Sequence, residues 1–256
     1  MSVQLIDSHC HIDFPAFDPD RAAIMAACQQ LGINRIVVPG VSADRFAEQL
    51  AVVQQFQGLS PAFGLHPCFL TKQLIPDLDC VRQYCIENDA CAVGEIGLDF
   101  YSGRDNQALQ MELFEAQLQL ASELSLPVIL HCRKAHNEIL HALKKLNFSQ
   151  RGVIHAFNAN HQIAKRYVDF GFVLGIGGLV ARSNTHKLRQ SIRTVGLAHL
   201  VLETDAPDMT PPGLSRRNTP ENIPVIAEHL ANVLKLDFYT IANTTAENTE
   251  AVFSLT

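Results

Sequence analysis

Short apolar runs alternate with longer amphipathic segments along the whole chain. The runs are rich in Val, Ile, Leu and Ala, as expected of strands that are buried on both faces. They predict about eight strands: Val3–Ile6, Ile33–Pro39, Pro61–Pro67, Ala90–Glu95, Leu126–His131, Gly152–His155, Phe172–Gly177 and His199–Asp205.

The segments between these runs carry apolar residues at helical spacing. They predict helices near residues 20–28, 42–56, 79–87, 106–124, 136–146, 161–170, 185–195, 219–235 and 238–253. This alternation over 256 residues fits the roughly 250 residues typical of a (β/α)8 barrel. We therefore expect an α/β protein with a TIM-barrel fold, in which residues 1–256 form a single domain.

A doubly wound parallel sheet would use the same alternation of strands and helices. Its phosphate-binding fingerprint is absent, because Gly175-Ile176-Gly177-Gly178 follows a strand without the G-x-G-x-x-G spacing. The Pro-rich stretch 206–213 is too short for a domain boundary, and we expect it to form a loop over the barrel mouth.

Composition narrows the classes of function. A net charge of -6 argues against nucleic-acid binding over a broad basic surface, although it allows phosphate contacts confined to one pocket. The seven cysteines form no Cys-x-x-Cys pair, so we expect buried, reduced thiols. There is no signal-peptide pattern and no apolar stretch of about 20 residues, which predicts a cytoplasmic protein without membrane contact.

The apolar runs end repeatedly in His, Glu or Asp, and in a barrel these ends converge on one mouth. The candidates there are His9, His11, His66, Glu95, His131, His155 and Asp205. Alternation along an extended first strand would place Asp7, His9 and His11 on one face and Cys10 on the other. We expect Asp7 to lie one pleat deeper, as support beneath the histidines, and Cys10 to pack.

Imidazole and carboxylate groups together indicate a site for divalent ions. Six ligands exceed one catalytic zinc site, which uses about three, so we expect two ions bridged by Glu95. One ion would take His9, His11, Glu95 and Asp205, and the other would take Glu95, His131 and His155. Four histidines favour Zn²⁺ or Mn²⁺ over Mg²⁺, and Asp205 would act as general base toward a shared water.

Six short motifs surround these residues in chain order. They are Asp7-Ser8-His9-Cys10-His11, Gly64-Leu65-His66-Pro67, Gly94-Glu95-Ile96-Gly97-Leu98-Asp99-Phe100, His131-Cys132-Arg133, Gly152-Val153-Ile154-His155-Ala156-Phe157 and Glu203-Thr204-Asp205-Ala206-Pro207. Together they resemble the TatD family of metal-dependent deoxyribonucleases, over residues 3 to about 253. The resemblance implies an amidohydrolase-type TIM barrel, a two-metal centre and phosphodiester hydrolysis, often from a DNA 3′ end. It places the family's ligands on the same six residues.

Three positions depart from the family pattern. Ala156 and Asn158 stand where the family often has Cys and Ser or Thr, and Asp208 stands where an aromatic residue is common. The Asp208 carboxylate disfavours phosphate binding unless it faces away from the substrate or binds a metal ion. The sequence therefore leaves the identity of the substrate open.

Other polar residues near the strand ends have both functional and structural interpretations. His66 is a candidate substrate ligand or proton donor, and Glu203 is a candidate support for a ligand histidine. Asp99 is expected to orient a loop or the substrate. Arg133, Arg182 and Arg217 follow strands and suit phosphate, although most loop arginines are only solvated. The remaining histidines, including His136, are expected to be structural or surface residues.

We therefore expect a metal-dependent hydrolase acting on ester bonds, with deoxyribonuclease activity, in 3′–5′ exonuclease form, as the first hypothesis. The first alternative is hydrolysis of a small amide, lactone or phosphoester, and the second is a non-catalytic metal-binding protein. The expected partners are DNA or a small phosphoester, together with two Zn, Mn or Mg ions. The sequence indicates no obligate protein partner.

Overall fold

Eight parallel strands form one sheet in the order β1 to β8 within the residues that the computed structural model describes, which are 3–70, 74–214 and 217–255. The strands are β1 (Leu5–Asp7), β2 (Ile33–Pro39), β3 (Leu59–Phe63), β4 (Ala92–Asp99), β5 (Val128–Arg133), β6 (Gly152–Ile154), β7 (Phe172–Ile176) and β8 (Leu200–Leu202). Each strand pairs in parallel with the next.

The first and last strands meet just beyond their carboxyl ends. The Ser8 N–H donates to the Leu202 carbonyl at 2.9 Å, and the Asp205 N–H donates to the His9 carbonyl at 2.9 Å. These bonds bring the two edges of the sheet together. The expected (β/α)8 barrel is thereby confirmed.

A helix follows each strand, and a ninth helix ends the described chain. The helices are α1 (Arg21–Gln30), α2 (Phe46–Gln55), α3 (Leu74–Glu87), α4 (Gln107–Leu124), α5 (His136–Lys145), α6 (His161–Asp169), α7 (His186–Val195), α8 (Ile223–Leu234) and α9 (Phe238–Phe253). Helix α3 starts at Leu74, earlier than the expected residue 79. Helix α8 starts later than expected because Pro220–Asn222 forms a separate 3₁₀ turn.

The core has two parts. The larger one lies between the sheet and the surrounding helices, as in other barrels with an outer ring of helices. The smaller one gathers side chains from six strands, including Val37, Ile129 and Val201, against Val252 and Phe253 at the end of α9. The barrel interior is therefore packed, and α9 contributes to it.

Several strands end at other residues than expected. Strands β1 and β8 end at Asp7 and Leu202, so His9 and Asp205 lie in the loops that follow. Alternation along a strand therefore does not orient these side chains. Strand β4 continues past Glu95 to Asp99, and strand β5 continues to Arg133.

The cysteines agree in part with the expectation of buried, reduced thiols. All seven are free, and Cys10, Cys28, Cys85 and Cys91 are buried. Cys68 is exposed, because it lies in the short turn after β3 rather than in the core. Among the described helices, none combines the length and apolarity needed to cross a bilayer.

Candidate metal centre

Glu95 lies at the centre of a cluster of histidines and carboxylates at the barrel mouth. Its side chain is buried, and its two oxygens face different partners. Oε2 lies 3.2 Å from His9 Nε2 and 3.6 Å from His11 Nε2. Oε1 lies 3.0 Å from His131 Nδ1 and 3.4 Å from His155 Nε2. One carboxylate thus stands between two groups of potential ligand atoms.

The first group consists of His9, His11 and Asp205. The two histidine Nε2 atoms face each other at 3.3 Å, and Asp205 Oδ1 lies 3.6 Å from that of His9. Asp205 has a left-handed backbone conformation, with φ of 56°, which for a non-glycine residue carries strain. Together with Glu95 Oε2, the group presents two imidazoles and two carboxylates to one point.

The second group contains His131, which lies between two carboxylates. Its Nδ1 atom faces Glu95, while Nε2 lies 3.1 Å from Asp99 Oδ2. A neutral ring that donates Nε2–H to Asp99 keeps Nδ1 free as a ligand, an arrangement common among metal-binding histidines. Burial is the largest single influence and raises the pKa of Asp99. The hydrogen bonds from His131 and the Tyr101 N–H, together with the nearby Arg133, outweigh burial, and this pKa falls to about 2.

His155 completes the second group and stacks on His9, with 3.9 Å between ring centroids. Glu203 lies behind it, with Oε1 3.6 Å from His155 Nδ1, and accepts a hydrogen bond from the Ala156 N–H at 2.6 Å. The Glu203 carboxylate is fully buried and occupies the space above Gly175, where a Cβ would overlap it. Glu203 therefore supports His155 from behind.

His66 also borders Glu95, with Nε2 3.4 Å from Oε1. Its Nδ1 accepts a hydrogen bond from the Cys68 N–H at 3.1 Å, so the proton of the neutral ring is on Nε2. Burial lowers the pKa of His66, which favours this neutral form. In this tautomer His66 Nε2 is a hydrogen-bond donor, and His66 also lies close enough to Glu95 and His131 for the three to form a candidate metal-binding group.

Asp7 lies beneath the histidines and joins the two ends of the barrel. It accepts hydrogen bonds from the Thr204 hydroxyl at 2.5 Å and from the N–H groups of Thr204 and His9. Complete burial is the main reason why the pKa of Asp7 rises to about 8. Asp7 thus supports the site from below, as its position in the sequence indicated, and Cys10 packs against the Ala206 carbonyl.

The donor set fits divalent cations. Burial favours a neutral form for each carboxylate, yet the surrounding histidines hold the pKa of Glu95 well below its ordinary value. Burial works against a charged His155, but Glu95, Asp205 and Glu203 raise its pKa to about 10. The Nε2 atoms of His9 and His11 both lie within 3.9 Å of the Glu95 and Asp205 carboxylates. Buried carboxylates that require positive charge, beside imidazole nitrogens that face the same point, match the requirements of a metal site.

The cluster forms the base of an open cleft with a volume of about 810 Å³. Arg133 and Lys134 line its rim and stack on the exposed Tyr101 ring, with Arg133 Cζ 3.6 Å and Lys134 Nζ 4.6 Å from the centroid. Asp208 also lines the cleft. Arg217 does not line this cleft. Its Nη2 atom pairs with Asp20 Oδ1 at 2.6 Å.

Some cleft residues were missed by sequence reasoning. Tyr101 carried no signal, because a single aromatic residue in a loop is ordinary. His136 was expected to be structural, yet it lines the cleft at the start of α5. Its position three residues after the His131-Cys132-Arg133 motif is a signal that could have identified it.

Comparisons with known proteins agree with the fold. The chain is 36% identical to the metal-dependent hydrolase YjjV of Escherichia coli K12, over 100% of both chains. The crystal structure of YjjV also covers 100% of both chains, with a TM-score of 0.94. The 3′-5′ ssDNA/RNA exonuclease TatD of Escherichia coli K12 is 27% identical, over 98% of this chain and 99% of its own.

A more distant structure supports the fold alone. An amidohydrolase from Saccharomyces cerevisiae covers 98% of this chain and 100% of its own at a TM-score of 0.79, with 18% identity. The model of the family described as TatD related DNase matches residues 6–254, which is almost the whole chain. The protein therefore belongs to the TatD-related DNase family, whose members include metal-dependent hydrolases.

Proposed function

We propose that the protein is a metal-dependent deoxyribonuclease that removes nucleotides from the 3′ end of DNA. The observation that carries this proposal is the Glu95 carboxylate, whose two oxygens face separate groups of ligand atoms at the base of an open cleft. Such a carboxylate suits a bridge between two ions. Two-metal sites are common in enzymes that hydrolyse phosphodiesters.

The proposed ligands follow from this division of contacts. His9, His11, Glu95 and Asp205 would hold one divalent ion, and Glu95, His131 and His155 would hold the other. The histidine-rich donor set favours Zn²⁺ or Mn²⁺. When bound, two such ions lower the pKa of water and stabilise the negative charge that develops on a phosphoryl group.

Asp205 is the proposed general base. Burial is the main cause of a rise in its pKa to about 6, so it is ionised at neutral pH and still accepts a proton readily. Asp99 and Glu203 hold the imidazoles of His131 and His155 from behind. His66 donates its Nε2–H to an oxygen of the substrate.

The test uses protein reconstituted with Zn²⁺ or Mn²⁺ and a single-stranded oligonucleotide labelled at its 5′ end. We expect a ladder of products shortened from the 3′ end. Glu95→Ala and Asp205→Ala should each lower the rate by at least about a hundredfold, while circular dichroism shows an intact fold. Glu247→Ala, on the exposed surface of α9, is the control. Full activity in either site variant would contradict the proposal.

A second candidate function is hydrolysis of a small amide, lactone or phosphoester. It is favoured by Asp208, which is exposed at the cleft and would repel a polynucleotide backbone. Under the first proposal, Asp208→Asn should lower KM for DNA because it removes this repulsion. Robust turnover of a small substrate, with none on DNA in either protein, would favour the second candidate.

A further inference from the structure

His136 begins helix α5 and forms part of the cleft wall. The Nδ1 atom of its ring faces Tyr167 and Cys132, of which Cys132 also lines the cleft. It lies 3.0 Å from the Cys132 sulfur and 3.1 Å from the hydroxyl of Tyr167, a fully buried side chain on α6. The ring also packs against Phe157, with 6.1 Å between centroids. Three side chains thus hold the ring in one orientation.

The protons of this cluster follow from its chemistry. The Tyr167 hydroxyl donates to the Cys132 sulfur at 3.9 Å, and the Cys132 sulfur lies 3.0 Å from His136 Nδ1. A thiol that accepts from this hydroxyl and donates its own proton to Nδ1 makes that nitrogen an acceptor. In this arrangement the proton of the neutral His136 ring is on Nε2.

The Nε2–H group is free to bind a ligand. Within the described ranges it has no hydrogen-bond partner, and it is not fully buried. Because His136 lines the cleft, this group is accessible from there. Burial lowers the pKa of His136 to about 4, which keeps the ring neutral. A neutral N–H in a fixed direction is a donor that retains its tautomer across the neutral pH range.

The neighbours of His136 are also donors. Arg133 and Lys134 line the cleft just before α5, and Asn158 lines it from the loop after β6. Strands β5 and β6 are paired, so these loops are adjacent. Two cations and two neutral donors around one side of a cleft form a site that suits an anion with several oxygen atoms, such as phosphate.

We propose that His136 is a substrate-binding residue that donates Nε2–H to a phosphate oxygen of the substrate, in a subsite between the β5–α5 and β6–α6 loops. Tyr167 and Cys132 are positioning residues that set its tautomer. This inference rests on the proposed function in one respect, which is that the substrate carries a phosphate group.

The first test compares two variants at the same position. The substitution His136→Leu removes the donor, whereas His136→Gln places an amide N–H near the position of Nε2. We expect His136→Leu to raise KM for the oligonucleotide by about tenfold with kcat within about threefold, and His136→Gln to stay near wild type. His141→Gln, on the exposed side of the same helix, is the matched control. An unchanged KM in His136→Leu, an effect confined to kcat, or equal losses in both variants would overturn the inference.

The second test does not require turnover. Calorimetric titration of the zinc-loaded protein with inorganic phosphate should show binding about tenfold weaker in His136→Leu than in wild type. Equal affinity would overturn the inference. If the wild type binds phosphate in this way but does not cleave DNA, the proposed function fails while the phosphate subsite stands.

The positioning role has its own spectroscopic signature. In ¹⁵N-histidine spectra, the His136 signal is identified by its loss in His136→Gln and should show the Nε2–H tautomer. Tyr167→Phe should give a mixture of tautomers, because the Cys132 thiol loses the hydroxyl that orients it toward Nδ1. A single Nδ1–H tautomer in the wild type would contradict this assignment.

Discussion

Glu203 and Gly175 show how one small residue makes room for a buried carboxylate. The Glu203 side chain is fully buried beside His155, and strand β7 passes so close that only a residue without Cβ fits at position 175. The backbone of Gly175 is ordinary extended strand, so the glycine is required by space and not by conformation. The support of His155 thus depends on a neighbour that carries no chemistry itself.

Replacing Gly175 with Ala should therefore displace Glu203. We expect a loss of about 1–3 kcal/mol in the free energy of unfolding, as in other overpacked cores, together with weaker zinc binding. The measurements are urea denaturation and zinc titration. The matched control is Gly177→Ala, since a Cβ there would lie 3.5 Å from Glu203, at ordinary contact distance. Equal stability of both variants would contradict this account.

His136 also predicts a pH effect on stability. The pKa in the folded state is about 4, below that of an unfolded histidine, because burial outweighs the nearby Glu138. Protonation therefore favours the unfolded chain, and stability is lost as pH falls from about 6.5 toward about 4. Cys132 and Tyr167, which face the ring, keep their protons throughout this range.

Between about pH 7 and about pH 5, His136 should account for roughly 2 kcal/mol of the lost stability. His136→Gln removes this titration, so the difference in unfolding free energy between the two pH values should be smaller by that amount. Urea denaturation of zinc-loaded wild type and variant measures it. His141→Gln should behave like wild type, and parallel pH profiles for all three proteins would argue against a neutral buried ring.

At the scale of elements, the site depends on how the first and last strands meet. The Asp7 carboxyl group at the end of β1 accepts hydrogen bonds from the Thr204 hydroxyl and N–H after β8. The Asp205 N–H in turn donates to the His9 carbonyl. These bonds place His9 and Asp205 side by side although 196 residues separate them in sequence.

Thr204→Val should weaken this connection, because it leaves one oxygen of the buried Asp7 carboxyl without its donor. We expect a loss of about 1–3 kcal/mol in the free energy of unfolding. The exposed Thr194, whose hydroxyl donates to a carbonyl within α7, offers Thr194→Val as control. Chemical denaturation of both variants is the measurement, and similar losses would show that the connection contributes nothing specific.

At the scale of the whole molecule, bound ions should stabilise the barrel. Ligands to the proposed ions come from loops and strands that span residues 9 to 205, and a ligand that binds only the folded state stabilises it. With free zinc at about a thousand times its dissociation constant, the gain is about 4 kcal/mol. For a chain of this size that corresponds to a rise in Tm of roughly 10 °C.

Calorimetry before and after chelation should therefore show a lower Tm for the stripped protein and recovery on addition of Zn²⁺ or Mn²⁺. Glu95→Ala should lose most of the metal-dependent rise, since it removes contacts to both ion positions. Glu247→Ala should retain it. An identical Tm with and without metal would contradict a metal centre built from these residues.

The sequence by itself determined the alternation of strands and helices, and with it the barrel. Burial on both faces makes each strand an uninterrupted apolar run, which is a local property of the chain. The position of His, Glu and Asp at the ends of those runs likewise indicated the histidine and carboxylate cluster. The motifs around them indicated the family, and the match over residues 6–254 confirms it.

Only the tertiary structure decided how these groups face one another. The division of Glu95 contacts between its two oxygens, the Asp99 partner of His131 and the Tyr167 partner of His136 all join residues from different elements. Strand alternation did not orient His9 or Asp205, because both lie in loops beyond their strands. The orientation of loop side chains is set by hydrogen bonds to residues that are distant in sequence, and a local pattern carries no record of those bonds.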